Sequence, residues 1–78
     1  MILEIITPES ELFKGEVTSV KFPGTDGKFG VLNNHAPIIS TLAKGTITVV
    51  DSNNENVNFD INGGVIEMQK NKIIVLAD

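Results

Sequence analysis

The chain contains no cysteine and no arginine, and each absence removes a class of function. Without cysteine there can be no disulfide framework and no thiolate zinc site, which suits a reducing compartment. Without arginine, and with six lysines scattered along a chain of net charge −4, there is no basic face to displace counterions from a phosphate backbone. That argues against nucleic acid as a partner. Apolar runs of only a few residues are too short for a membrane-spanning helix. The opening "MILEIITPESE" lacks both a basic leader and an Arg/Ser-rich transit pattern, so neither an export nor an import signal is expected. No window holds apolar residues at helical spacing for three turns. What remains is a single domain over residues 1–78, 41% apolar and therefore globular. A domain this short buries about 60% of its unfolded surface and is marginally stable, so a protein partner covering part of it would help.

Short runs that often alternate apolar and polar residues, separated by turn residues, recur throughout. They predict strands at "ILEII" (2–6), "EVTSVKF" (16–22, ended by Pro23), "KFGVL" (28–32) and "IISTL" (38–42). Further strands are predicted at "TITVV" (46–50), "VNFDI" (57–61), "GVIEM" (64–68) and "KIIVL" (72–76). Asn62-Gly63 signals a two-residue hairpin between the sixth and seventh. The fold class is all-β: an antiparallel sandwich or flattened barrel of about eight to ten short strands, without a βαβ unit. The expected core is Leu3, Ile5, Val20, Phe22, Leu32, Ile39, Ile47, Val49, Val57, Phe59, Ile61, Ile66, Ile73 and Val75. "ILEII" and "KIIVL" carry apolar residues on both faces, which implies either a docking surface or coverage by a loop.

The densest stretch is "FPGTDGKFGVLNNHAPI", with Gly24, Gly27 and Gly30 spaced three apart, Pro23 and Pro37, and the chain's only histidine. Its GxxGxxG spacing meets neither the P-loop nor the dinucleotide pattern, and no helix follows to receive a phosphate. The glycines instead suit turns and close backbone approach. "DSNNE" (51–55) resembles the start of an EF-hand, but Asn56 stands where glycine is required and Asn62 where the closing glutamate belongs. One histidine without cysteine cannot build a zinc site unless three carboxylates converge. His35 could act as a general base, though no nucleophile is identified beside it. Lys70, in "MQKNK", offers an alternative: a biotinyl- or lipoyl-type carrier domain presenting a modifiable lysine at a hairpin tip. No catalytic residue, metal or cofactor is expected, and the crowded stretch reads as a surface shaped for another protein.

The same residues carry a resemblance. "TPESELFKGEV", "FPGTDGKFGVLNNHAPII", "INGGVIEM" and "KIIVLAD" together resemble the epsilon subunits of F-type ATP synthases over essentially the whole chain. Gly63-Gly64 and the terminal Leu76-Ala77-Asp78 sharpen the likeness. It implies a β-sandwich domain, non-catalytic, that links the gamma subunit to the membrane c ring within the central-stalk rotor. By this resemblance Thr25, Asp26, Gly27, Lys28 and Phe29 face the c ring. Thr7, His35 and Ser40 face gamma, and Pro23, Gly24, Gly30, Pro37, Gly63 and Gly64 shape turns. The family often has Pro-Gly where Asn33-Asn34 stands, and a more acidic residue at the position of Lys28. Family members usually continue into a two-helix hairpin that restrains ATP hydrolysis. The present chain stops at Asp78, so neither inhibition nor ATP sensing is expected of it. The resemblance also implies a peripheral location on the cytoplasmic face of a bacterial inner membrane, reached through the complex.

Overall fold

A computed structural model describes residues 1–78 as eight strands without a helix. They are β1 (Ile2–Ile6), β2 (Glu11–Gly24), β3 (Gly27–Leu32), β4 (Ile38–Leu42), β5 (Gly45–Asp51), β6 (Asn56–Ile61), β7 (Gly64–Gln69) and β8 (Lys72–Ala77). The hydrogen-bonded order is β1-β8-β7-β4-β2-β5-β6, with β3 and β1 also paired to β2. The link between β4 and β2 is a single residue pair, Gly24 with Leu42. The chain therefore forms two layers. The first is β4-β7-β8-β1 plus the start of β2; the second is β3, the rest of β2, β5 and β6.

β2 joins the layers because it is a single strand of 14 residues, far longer than the predicted 16–22. A register shift between Val17 and Ser19 lets it turn the corner. The shift puts Val17 and Val20, three residues apart, both in the core. Pro23 does not end the strand. It pairs with Lys28 in β3, and its carbonyl accepts the amide of Ala43 at 2.7 Å.

Between the layers lies one cluster of sixteen buried residues, among them Leu3, Ile5, Phe22, Ile47, Ile66, Met68, Ile73 and Val75. Two expected core residues are misplaced: Leu32 is 66% exposed and Ile39 82% exposed. Their neighbours Val31 and Leu42 point inward instead, because "KFGVL" and "IISTL" carry apolar residues in both phases and pairing decides which face is buried. Val57 and Phe59 are only half-buried, on the edge strand β6. Phe13 at the start of β2 packs edge-on against Phe59 at 5.7 Å and covers the seam between the layers.

Two pairings differ from the expected pattern. β1 and β8 run parallel, an exception to the antiparallel arrangement, since the last strand slots between β7 and β1. Asn62-Gly63 does not make a hairpin: β6 pairs only with β5, and β7 with β4 and β8. The chain instead crosses here from one layer to the other through Gly63 (φ 135°) and Gly64 (φ 153°). A side chain at Gly64 would collide with the Leu76 carbonyl, so β7 and β8 approach as closely as they do only with glycine there. The "DSNNE" loop is a polar hairpin, closed by Asp51 Oδ1 accepting the amides of Asn53 and Glu55 at 2.9 Å each.

Candidate interaction surfaces

Register divides the body into two ends. At one end lie Ile6, Leu76, Val65 and Leu42, with the Thr7–Ser10 turn, Gly63-Gly64 and Asp78. At the other lie Met1, Ile2, Gln69, Lys72 and Ile38, with the 33–37 loop and the Lys70-Asn71 turn.

The β2–β3 hairpin tip belongs to the first end. Gly24 pairs with Gly27, leaving Thr25 and Asp26 as a two-residue loop, and Gly27 has φ 125°. A side chain on Gly24 would meet the Phe29 ring at 2.9 Å, so that ring lies where Gly24 leaves room. Phe29 stacks on Phe22 at 5.5 Å and joins the edge of the core, while Thr25, Asp26, Gly27 and Lys28 are exposed. The tip is pinned to β4: the Thr25 amide donates to the Thr41 carbonyl at 3.2 Å, and the two hydroxyls lie 2.8 Å apart. Gly30 is not in a turn. It sits within β3 opposite Lys21, with no atom closer than 3.8 Å to an added Cβ. Pro37 stands in the exposed linker before β4.

The three residues expected on the gamma side do not form one cluster. The Thr7 hydroxyl is used within its own turn: it donates to the Ser10 carbonyl and accepts the Ser10 amide, both at 3.1 Å. Ser40 is half-buried and shares the inward face of its sheet with Ile66. His35 is exposed at the opposite end from Thr7, its amide donating to the Leu32 carbonyl at 3.2 Å and its Nδ1 lying 2.8 Å from the Ala36 carbonyl. Its loop is held from both sides. The Asn34 amide donates to Asn71 Oδ1 at 2.8 Å, and Asn33 Oδ1 accepts the Met1 amine at 2.6 Å. Lys70 (φ 52°) and Asn71 (φ 60°) make a two-residue hairpin turn, so Lys70 stands at a tip as the carrier alternative requires.

The largest exposed apolar surface is the outer face of the first sheet. Two rows cross it: Ile6–Leu76–Val65–Thr41, and Glu4–Ile74–Glu67–Ile39. Ile39, Leu76 (52%) and Val65 (45%) are exposed, and no loop covers them. The first row opens into a groove of about 680 Å³ bordered by Thr7, Pro8, Leu42 and Asp78. The two-sided apolar runs of β1 and β8 are the sequence signal for this face, and the expectation that Ile39 points inward is overturned by its 82% exposure. No group of three or more potential ligands converges to hold a metal. No helix is long and apolar enough to cross a membrane.

The chain is thus an all-strand sandwich with pinned loops and an exposed apolar face on its first sheet. Sequence comparison places it further. The model of the ATP synthase delta/epsilon chain β-sandwich domain matches residues 1–78, and the chain belongs to that family. It is 46% identical over 74 residues to the ATP synthase epsilon chain of Caulobacter vibrioides, covering 95% of this chain and 85% of the relative. It is 43% identical over 76 residues to that of Campylobacter curvus, covering 97% of this chain and 59% of the relative. The chain thus spans about three-fifths of some relatives and most of others. Among solved structures, a chain of the Euglena gracilis mitochondrial ATP synthase (OSCP/F1/c-ring) superimposes with a TM-score of 0.92. It has 22% identity, over 99% of this chain and 49% of that one. A chain of the Tetrahymena thermophila central stalk and c-ring gives 0.79 at 17% identity, over 99% and 62%. At these identities the structures share the fold.

Proposed function

We propose that this chain is a non-catalytic rotor subunit of an F-type ATP synthase that ties the gamma subunit to the c ring. Family membership supports the complex. The single observation that carries the two-partner role is the exposed apolar outer face of the first sheet, adjoining a separate, rigidly held polar tip. Gamma covers the outer face, from the groove beside Thr7 through Leu76, Val65 and Ile39 toward the His35 loop. Thr25, Asp26, Gly27 and Lys28 meet the polar loops of the ring, and Phe29 supports them from within. A rotor coupling must transmit torque without slipping. Two modest contacts held at once by a stiff body suffice, because the first raises the effective concentration of the second. The 78 residues need no cofactor and no inhibitory or ATP-sensing role for this task. The complex would hold the chain at the cytoplasmic face of a bacterial inner membrane.

The test is affinity capture of the chain by tagged gamma, and separately by the assembled c ring. Both captures succeed if the reading is right, and Asp26→Lys, a charge reversal at the exposed tip, weakens only the second. Recovery of a fully coupled synthase lacking this chain would refute the reading.

A further inference from the structure

Eight asparagines stand in the chain, and the fold restrains seven of them. Asparagine is thermolabile because the backbone nitrogen of the next residue can attack its side-chain carbonyl, which needs a free side chain beside a free N–H. Asn33 Oδ1 accepts the Met1 amine at 2.6 Å, and the amide that follows it donates to Asn71 Oδ1 at 2.8 Å. That second bond also holds the Asn71 side chain. After Asn34, the His35 amide donates to the Leu32 carbonyl at 3.2 Å. After Asn53 and Asn54, the next amides donate to the Asp51 carbonyl at 3.0 Å and to Asp51 Oδ1 at 2.9 Å. Asn56 and Asn58 lie in β6, paired along its length with β5. Asn62 is the exception. It is exposed between β6 and β7, and its side chain has no hydrogen-bond partner in the chain. The N–H of Gly63, which is buried, donates to no backbone or side-chain acceptor. It is an orphan donor, and glycine sets no side chain beside the reacting nitrogen. Ring closure here consumes the unpaired N–H, whereas at Asn33, Asn34, Asn53 or Asn54 it would break a hydrogen bond. Asp26-Gly27 could close the same ring, but Gly27 is paired with Gly24 in the β2–β3 ladder.

We infer that Asn62 is a self-modification site, where the Gly63 nitrogen converts the side-chain amide to a carboxylate with water as the only co-reactant. Gly63 N bonds to Asn62 Cγ, the bond from Cγ to the side-chain nitrogen breaks, and ammonia leaves with the proton that Gly63 has lost. Water then adds to either carbonyl of the cyclic imide, cleaves its bond to the Gly63 nitrogen and restores that N–H. Opening at Cγ gives aspartate. Opening at the main-chain carbonyl gives isoaspartate, whose backbone runs through the β carbon and is one methylene longer. No atom is oxidised or reduced. The crossover between the layers has no slack for this change. The Gly63 carbonyl accepts the Asp78 amide at 3.0 Å, and Gly64 is pressed against the Leu76 carbonyl. Asp78 Oδ2 lies 3.1 Å from where a Gly63 Cβ would stand, so the new carboxylate arises near an existing one. The net charge moves one unit below −4. Conversion therefore loosens the link between the layers and marks the chain by age.

The experiment incubates the purified whole chain, folded and in parallel unfolded in denaturant, in mildly acidic and mildly alkaline buffer. Peptide mapping by mass locates each amide-to-acid change, and hydroxylamine traps the imide by cleaving the chain after Asn62. In the folded chain Asn62 converts first, and faster in the alkaline buffer, where the Gly63 N–H is more readily deprotonated. Its rate stays within about tenfold of the unfolded chain's, which is about 1.4 kcal/mol of barrier. Asn62→Gln, whose longer side chain closes a larger ring, stops the conversion while leaving the fold intact, since the position is exposed. The converted fraction, separated by its extra charge, melts below the parent. Asn62→Asp, which has the charge without the extra methylene, melts less far below it. Conversion only in the unfolded chain, or first at another asparagine, overturns the site. A converted fraction that melts like the parent overturns the loosening of the crossover.

Discussion

On the outer face of the first sheet the rows read Ile6–Leu76–Val65–Thr41 and Glu4–Ile74–Glu67–Ile39. On the outer face of the second they read Thr46–Asp60, Thr48–Asn58 and Val50–Asn56. The second face is mostly polar, with Leu32 its large exposed aliphatic: Thr46 Oγ1 donates to Asp60 Oδ1 at 2.7 Å, and β-branched threonines stand opposite polar residues. The first leaves Ile39, Leu76 and Val65 in water with nothing folded over them. Both sheets share one core, so the contrast has nothing to do with holding the fold together. The aliphatic cluster on the first sheet is the surface that the proposed gamma contact would cover.

Substitutions within the first sheet separate its two faces most sharply. Ile66 is buried on the inner side, and Ile66→Ala should cost about 2–5 kcal/mol, a large share of the stability of so small a domain. Ile39→Ala, one strand away but outward, should change stability by less than about 0.5 kcal/mol while weakening gamma binding. Paired thermal melts and binding titrations decide this. Equal stability losses would mean that Ile39 is covered from within the chain.

Next in size is the crossover between layers. Gly64→Ala forces a side chain at positive φ against the Leu76 carbonyl and should cost about 2–3 kcal/mol, read as a lowered denaturant midpoint. A wild-type midpoint would show that β7 and β8 can separate without loss. Leu76→Asp should then lower gamma affinity at least about tenfold with little change in melting, because it sets a charge in the covered field. Asn58→Asp on the second face should leave binding unchanged; a comparable loss there would erase the distinction between the faces. The smallest expected effect is at Gly30→Ala, within about 0.5 kcal/mol of the parent in a chemical melt, since Gly30 is in a strand with open space beside it.

The residues show why some of this was legible in the chain and some was not. Leu3, Ile5, Ile47, Val49, Ile73 and Val75 were expected in the core and are there, because each is β-branched or aliphatic within a clearly bounded run. Leu32 and Ile39 were expected beside them and are the two most exposed large apolar residues. Alternation of period two says that one face is buried without saying which, and only the partner strand resolves it. Val17 was missed because the shift before Ser19 changes the phase of β2 midway. Thr7, His35 and Ser40 share a family resemblance but not a location, and no local pattern could reveal that.

Turn chemistry and alternation, both local properties of a few adjacent residues, were enough to point to an all-β chain of about eight to ten short strands, of which the fold has eight. The tertiary structure alone decided that β1 lies parallel to β8, that Asn62-Gly63-Gly64 crosses between layers instead of closing a hairpin, and that Ile39 and Glu67 face outward together. Those outcomes depend on which distant strands pair. Pairing is selected by the burial of a shared core, a property of the whole chain that no short segment contains.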